Sequence, residues 1–175
     1  GVAGTGATVV AAALGANITV FDPNPEKQQQ LEQLGQNIIA KPPGKQDIAD
    51  AVKKADLLIG SVLIRGAKTP HLVSAEQVKT MKPGSVIIDI SVDQGGCIET
   101  TRPTTYENPT FLYEEVIHFG VTNMPGAVPR TSSQALSSAV LPYVVKLAEP
   151  GWEENPALQS GINVKGGEIV LTTLR

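Results

Sequence analysis

Short apolar runs alternate with stretches of helical spacing along this chain, as if strands and helices took turns. Val2 to Leu14 is rich in Ala and Val and closes on Gly15-Ala16, which predicts a helix with a glycine stop. Ile18 to Asp22 predicts a short strand ending in a carboxylate, and Asp22-Pro23-Asn24-Pro25 a turn that starts a helix running to about Leu34. Ile38-Ile39 marks a further strand, followed by a Pro42-Pro43-Gly44 loop. Ile48, Val52 and Ala55 recur at helical spacing over 47–55. Asp56 to Leu63 is continuously apolar after its first residue, the pattern of a strand buried on both faces of a parallel sheet. Ser74 to Met81 predicts a short helix opened by a serine cap, with Gln77 three residues on. Ser85 to Val92 and Val116 to Val121 are the last two strands expected. This alternation predicts an α/β fold, a doubly wound parallel sheet with right-handed crossovers. Beyond Asn123-Met124-Pro125-Gly126 the texture changes. Thr131 to Ala148 reads as a long helix with Pro142 inside it, which predicts a kink and a chain leaving the first domain.

Composition narrows the function classes. Lys and Arg total 14 against 17 Asp and Glu, a net charge of −3, so there is no basic footprint for a nucleic-acid backbone. Aromatic residues are only 4%, too few for base-stacking platforms. Cys97 is the single cysteine, and His71 and His118 are the two histidines, far apart in sequence, so no disulfide or metal-ligand pattern is expected. No apolar run is long enough to span a membrane, and no leader pattern opens the chain. The expectation is a soluble, cytoplasmic protein with no nucleic-acid or membrane partner and no metal. The first residue is a glycine inside a motif, so the stretch is expected to be part of a longer protein.

Candidate chemistry lies at strand ends. Gly1-Val2-Ala3-Gly4 leads into a helix, and Asp22 closes the strand that follows. In a Rossmann-type fold such glycines let a pyrophosphate approach a helix N-terminus, while the carboxylate takes the ribose hydroxyls. An ordinary glycine turn would look the same in isolation; the correctly placed Asp22 favours nucleotide binding, and NAD over NADP, because it would repel a 2′-phosphate. The first strand of that fingerprint would lie upstream of residue 1. Asp93-Gln94-Gly95-Gly96 follows another strand, where a carboxylate would face the cofactor crevice or simply cap a turn. Asp89, inside the strand, reads as structural. Asn123 to Pro129 reads as an interdomain hinge. Arg65, Lys68 and Arg102 read as loop charges, with Arg102 the one able to meet a carboxylate or phosphate. His71 reads as a surface residue, His118 as a satisfied strand residue, and Cys97 as a small buried hydrophobe.

Several blocks taken together resemble the alanine dehydrogenase family. They are Gly1-Val2-Ala3-Gly4-Thr5, Val62-Leu63-Ile64 with Gly66-Ala67-Lys68, Met81 to Val86, Asp93-Gln94-Gly95-Gly96, Arg102-Pro103-Thr104-Thr105 and Asn123 to Ser132. The resemblance continues through Pro142-Tyr143 and Gly151-Trp152 to Asn155-Pro156-Ala157-Leu158. A related family, the NAD-binding part of proton-translocating transhydrogenase, usually has Glu where Asp93 stands and a different segment in place of Asn123 to Pro129. Both features side with the dehydrogenase.

The resemblance implies NAD-dependent oxidative deamination of L-alanine to pyruvate and ammonia, reversible, by a cytoplasmic homo-oligomer, typically a hexamer. It implies that 1–123 is an NAD-binding Rossmann domain without its first strand, and that 124–175 is the return helix and the C-terminal part of a substrate domain. Asp93 takes the catalytic carboxylate's place. Cofactor contacts fall on Gly1, Val2, Ala3, Gly4, Asp22, Lys27, Val62, Leu63, Ile90, Ser91, Val92, Asp93, Arg102, Val121, Thr122, Asn123 and Met124. The family's catalytic histidine and its pyruvate-binding Arg and Lys belong to an N-terminal half not in this stretch, which alone is expected to be inactive. Two departures stand out: Gly6 replaces a commoner Asn, and Pro42-Pro43 replaces a Ser-containing segment. The alternatives are the transhydrogenase subunit and a nucleotide-binding module without catalysis.

Overall fold

The computed structural model describes residues 1–64 and 66–171; Arg65 lies outside them. The chain divides into two compact units, the first made of Gly1–Ile64 and Lys68–Thr122 and the second built from Asn123 onward.

In the first unit, α1 (Val2–Ala13) leads to β1 (Ile18–Phe21), α2 (Pro25–Glu32), β2 (Ile38–Lys41), α3 (Lys45–Val52), β3 (Leu57–Gly60), α4 (Ala75–Val78), β4 (Val86–Asp89), β5 (Thr110–Tyr113) and β6 (Val116–Phe119). Local chemistry sets the boundaries. Gly15, at φ +84°, stops α1 as expected. Asn24 accepts hydrogen bonds from the N–H groups of Glu26 (2.8 Å) and Lys27 (3.3 Å), and Pro25 supplies a preset first turn for α2. Ser74 and Gln77 form the reciprocal capping box of α4: Gln77 N–H donates to Ser74 Oγ (3.3 Å), and Ser74 N–H to Gln77 Oε1 (2.8 Å).

β1 and β2 pair in parallel, as do β3 with β4 and β4 with β6, giving a second sheet in the order β3-β4-β6-β5. This is a Rossmann-type parallel arrangement, split into two sheets as it would be without its first strand. Its core gathers Ile48, Val52, Val73, Val78, Met81, Ile87, Cys97, Ile98 and Val116.

Three expectations need correction. β5 is an antiparallel edge strand, joined to β6 by a two-residue turn, Glu114-Glu115, with both residues at positive φ (48° and 61°). The strand expected over 56–63 is only Leu57–Gly60, and it is not buried on both faces: Leu57 is 48% exposed. Leu57 and Ile59, two apart, share the face of the strand that is left uncovered. The strand expected over 85–92 ends at Asp89, because that side chain accepts the Ser91 N–H (2.9 Å) and turns the chain into a 3-10 helix, Ile90–Gln94.

The second unit holds a short 3-10 turn (Met124–Ala127), the long helix α5 (Pro129–Leu147), α6 (Pro156–Ser160) and a small hairpin of β7 (Val164–Lys165) and β8 (Glu168–Ile169). α5 runs nineteen residues, Pro142 included. Among the described residues no helix is long and apolar enough to cross a membrane.

Candidate functional site

The N-terminus of α1 meets the carboxyl ends of two strands. Asp22, just past β1, brings Oδ2 to 3.7 Å from the Gly1 nitrogen. Gly4 lies against Ser61, just past β3, where an added Cβ would sit 3.5 Å from the serine side chain. Asp22 is held in place: its Oδ1 accepts the Asn24 N–H (2.9 Å), and its carbonyl accepts from Gln28 Nε2 (2.7 Å).

The glycines of α1 have room around them within this chain. A Cβ at Gly6 would meet nothing within 4 Å, one at Gly4 would make only ordinary contacts, and neither residue has a positive φ. A glycine inside a helix costs about 1 kcal/mol relative to Ala. α2, α4 and α6 are capped by Asn24, Ser74 and Asn155, whereas α1, like α3 and α5, starts without a capping side chain. Exposed N–H groups and the positive end of the helix dipole are what a phosphate needs.

A second cluster stands where β3 and β4 end side by side, Gly60 opposite Asp89. Ser91 Oγ accepts the Val62 N–H (2.7 Å) and donates to the Val62 carbonyl (2.9 Å), which joins two of the residues singled out from the sequence. Val92 is buried, Leu63 exposed, and Ile90 half-buried. Asp93 is exposed, in the first turn of the 3-10 helix. Asp89 is fully buried; its carboxylate accepts from Ser91 N–H, Cys97 N–H (2.9 Å) and Ile98 N–H (3.2 Å), and the Cys97 thiol lies at 3.6 Å. Burial first, and the Asp89 carboxylate second, push that thiol up to about 12.

The remaining sites named from the sequence are more scattered. Lys27 is exposed in the first turn of α2. The Arg102 guanidinium stacks 4.2 Å over the Phe111 ring. Val121 is buried and bridges Thr104, and Thr122 N–H donates to the Thr104 carbonyl (3.4 Å). Asn123 (φ 51°) and Met124 open the second unit, where Asn123 caps the short 3-10 turn with its carbonyl accepting from Gly126 N–H (2.8 Å). His118 is a satisfied strand residue, as expected: Nδ1 lies 3.0 Å from the Val116 carbonyl and Nε2 2.8 Å from the Thr100 hydroxyl. Ser61 and the clamp at Asp89 were not singled out as functional by the sequence. The Asp-x-Ser spacing of Asp89 and Ser91 was the one signal for the clamp.

The family model described as alanine dehydrogenase/PNT, C-terminal domain, matches residues 1–172. The chain belongs to this family. The alanine dehydrogenase of Mycolicibacterium smegmatis is 46% identical to it over 175 residues, covering 97% of this chain and 47% of that protein. A solved L-alanine dehydrogenase superposes with TM-score 0.83 at 47% identity, covering 97% of this chain and 48% of the other. A transhydrogenase from Sinorhizobium meliloti superposes with TM-score 0.77 at 26% identity, over 97% of this chain and 47% of its own. The chain thus spans about half the length of the curated relatives it matches. Within the alanine dehydrogenase/PNT family, its higher identity lies on the dehydrogenase side.

Proposed function

We propose that the protein carrying this chain is an NAD-dependent alanine dehydrogenase, interconverting L-alanine with pyruvate and ammonia as a cytoplasmic homo-oligomer, a hexamer by family resemblance. What supports the reading is the 46% identity to an alanine dehydrogenase over 97% of the chain, together with Gly1 to Gly4 opening α1 and Asp22 closing β1. Those residues suit NAD: main-chain N–H groups for the pyrophosphate and a carboxylate for the adenosine ribose. Bound NAD would supply the hydride acceptor.

On this reading the chain's residues take the roles that the family resemblance implies. Gly1, Val2, Ala3 and Gly4 bind the pyrophosphate, and Asp22 and Lys27 flank the adenosine end. Val62, Leu63 and Ile90 to Val92 line the nicotinamide end, fixed there by the Ser91–Val62 bonds. Asp93 places negative charge beside the reacting carbon, where an iminium would develop, and helps to orient water. Arg102, Val121, Thr122, Asn123 and Met124 complete the cofactor contacts. Residues 1–123 form the NAD domain on this reading, and 124–175 return to a substrate domain whose histidine, Arg and Lys lie outside this chain.

The test is direct. The full-length protein, supplied with NAD and L-alanine, should form NADH and pyruvate in equal amounts, and ammonia plus pyruvate should reverse the reaction. Hydride exchange between NADH and an NADP analogue without any need for alanine would overturn the reading in favour of transhydrogenation. NAD binding with neither activity would point to a module without catalysis.

A further inference from the structure

We infer that Asp89 is a positioning residue for the loop that carries Asp93, bonding both ends of that loop so that its apex is fixed. The inference rests on the catalytic reading of Asp93 given above. Asp89 closes β4 and is 0% exposed. Its partners are main-chain N–H groups from opposite ends of one loop: Ser91 at the start (2.9 Å), Cys97 (2.9 Å) and Ile98 (3.2 Å) at the return. One carboxylate therefore holds the beginning and the end of the segment that carries Asp93.

The surroundings make room for this arrangement. A Cβ at Gly60 would come within 3.1 Å of Asp89 Oδ1, and one at Gly96 within 2.8 Å of Oδ2. Gly95 and Gly96 (φ +96° and +78°) turn the chain back, in a conformation that side chains resist. Further bonds brace the same segment: Ser91 Oγ with Val62, Gly96 N–H to the Ser91 carbonyl (3.0 Å), and Thr69 N–H to the Gln94 carbonyl (3.0 Å). Asp93 is exposed between the two ends that Asp89 holds.

The chemistry needs two acceptors at position 89. Asn has nearly the same shape, but its amide NH2 must face an N–H whichever way it flips. The front or the back of the loop is then released. A displacement of about 1 Å at a group that acts on the reacting carbon costs on the order of 100-fold in rate.

The experiment uses the full-length protein and four variants: Asp89→Asn, Asp93→Asn, their combination, and Ile87→Val, which loosens the same strand without touching the clamp. Asp89→Asn should lower kcat by about tenfold to 100-fold while NAD affinity stays within about fivefold, because the pyrophosphate and ribose are held at α1 and Asp22. The double variant should be no slower than Asp93→Asn alone, since Asp89 acts through Asp93. Ile87→Val should lose Tm and keep kcat. A folded Asp89→Asn that loses only Tm, or losses that multiply in the double variant, would overturn the inference. If Asp93→Asn alone leaves kcat intact, the catalytic reading itself fails and takes this inference with it. Should Asp89→Asn not fold, Gly96→Ala presses a methyl onto Asp89 Oδ2; normal kcat in that folded variant overturns the inference equally.

Discussion

Asp22 accepts the Asn24 N–H on its Oδ1 (2.9 Å), which fixes the carboxylate just past the end of β1. On the proposed reading that carboxylate accepts ribose hydroxyls and repels a 2′-phosphate. Asp22→Ser in the full-length protein should reduce the preference for NAD over NADP by about tenfold or more, the scale of a hydrogen bond to a charged group. Competitive binding of the two cofactors measures it. Equal affinities in the unaltered protein would remove the argument.

Asp93→Asn keeps the size of the side chain and removes its charge. We expect kcat to fall by roughly 100-fold, as for the loss of one preorganised electrostatic group, with NAD affinity little changed. A side chain that only capped its turn would instead cost about 1 kcal/mol of stability and spare turnover. Steady-state kinetics and a melting curve on the same preparation separate these outcomes.

His118 is fully buried, and burial lowers its pKa from the ordinary 6.5. A carbonyl only accepts, so Nδ1 donates to Val116 and Nε2 accepts from Thr100, which fixes a neutral ring. Below pH 6.5 the unfolded chain takes up a proton that the folded ring resists, so stability falls as the pH drops through that point and levels off below the folded pKa. Thermal unfolding should show Tm declining over this range. His118→Gln, less stable at neutral pH for want of the stacking on Phe111, should decline less steeply.

Cys97 is 3% exposed, and its thiol is pushed up to about 12. The thiolate is the nucleophile, so a disulfide reagent at pH 8 should react only as fast as the protein opens. Labelling followed with and without denaturant checks this. Prompt labelling of the folded protein would show that the Asp89–Cys97 region opens readily.

Features written in neighbouring residues were legible in the sequence. The Gly15 stop, the Ser74–Gln77 box, the Asp22 strand end and the long helix after Pro129 each depend on contacts within a few positions. What was illegible depends on register and return. That Ser91 meets Val62 follows from the pairing of β3 with β4, which no local pattern states. The clamp at Asp89 needs the loop to come back to Cys97 and Ile98. β5 was hidden because its face pattern puts Leu112 outward at 72% exposure between half-buried Phe111 and Tyr113, so Phe-Leu-Tyr shows no alternation. The turn after it gave no cue either, since two glutamates stand where Asn-Gly would announce a hairpin.

That turn leaves the domain with an untapped margin for thermostabilisation. Glu114 and Glu115 both hold the left-handed conformation, which favours Asn and Gly, and the Glu115 carbonyl accepts from Gly84 N–H (2.8 Å) at the entry to β4. A Glu114→Asn, Glu115→Gly pair keeps that carbonyl in place, relieves the steric cost at both residues and removes two adjacent negative charges. We expect a gain of about 1 kcal/mol in unfolding free energy, seen as a higher denaturant midpoint with unchanged slope. Strengthening this hairpin would make β6, through its pairing with β4, a firmer support for the strand that ends in Asp89.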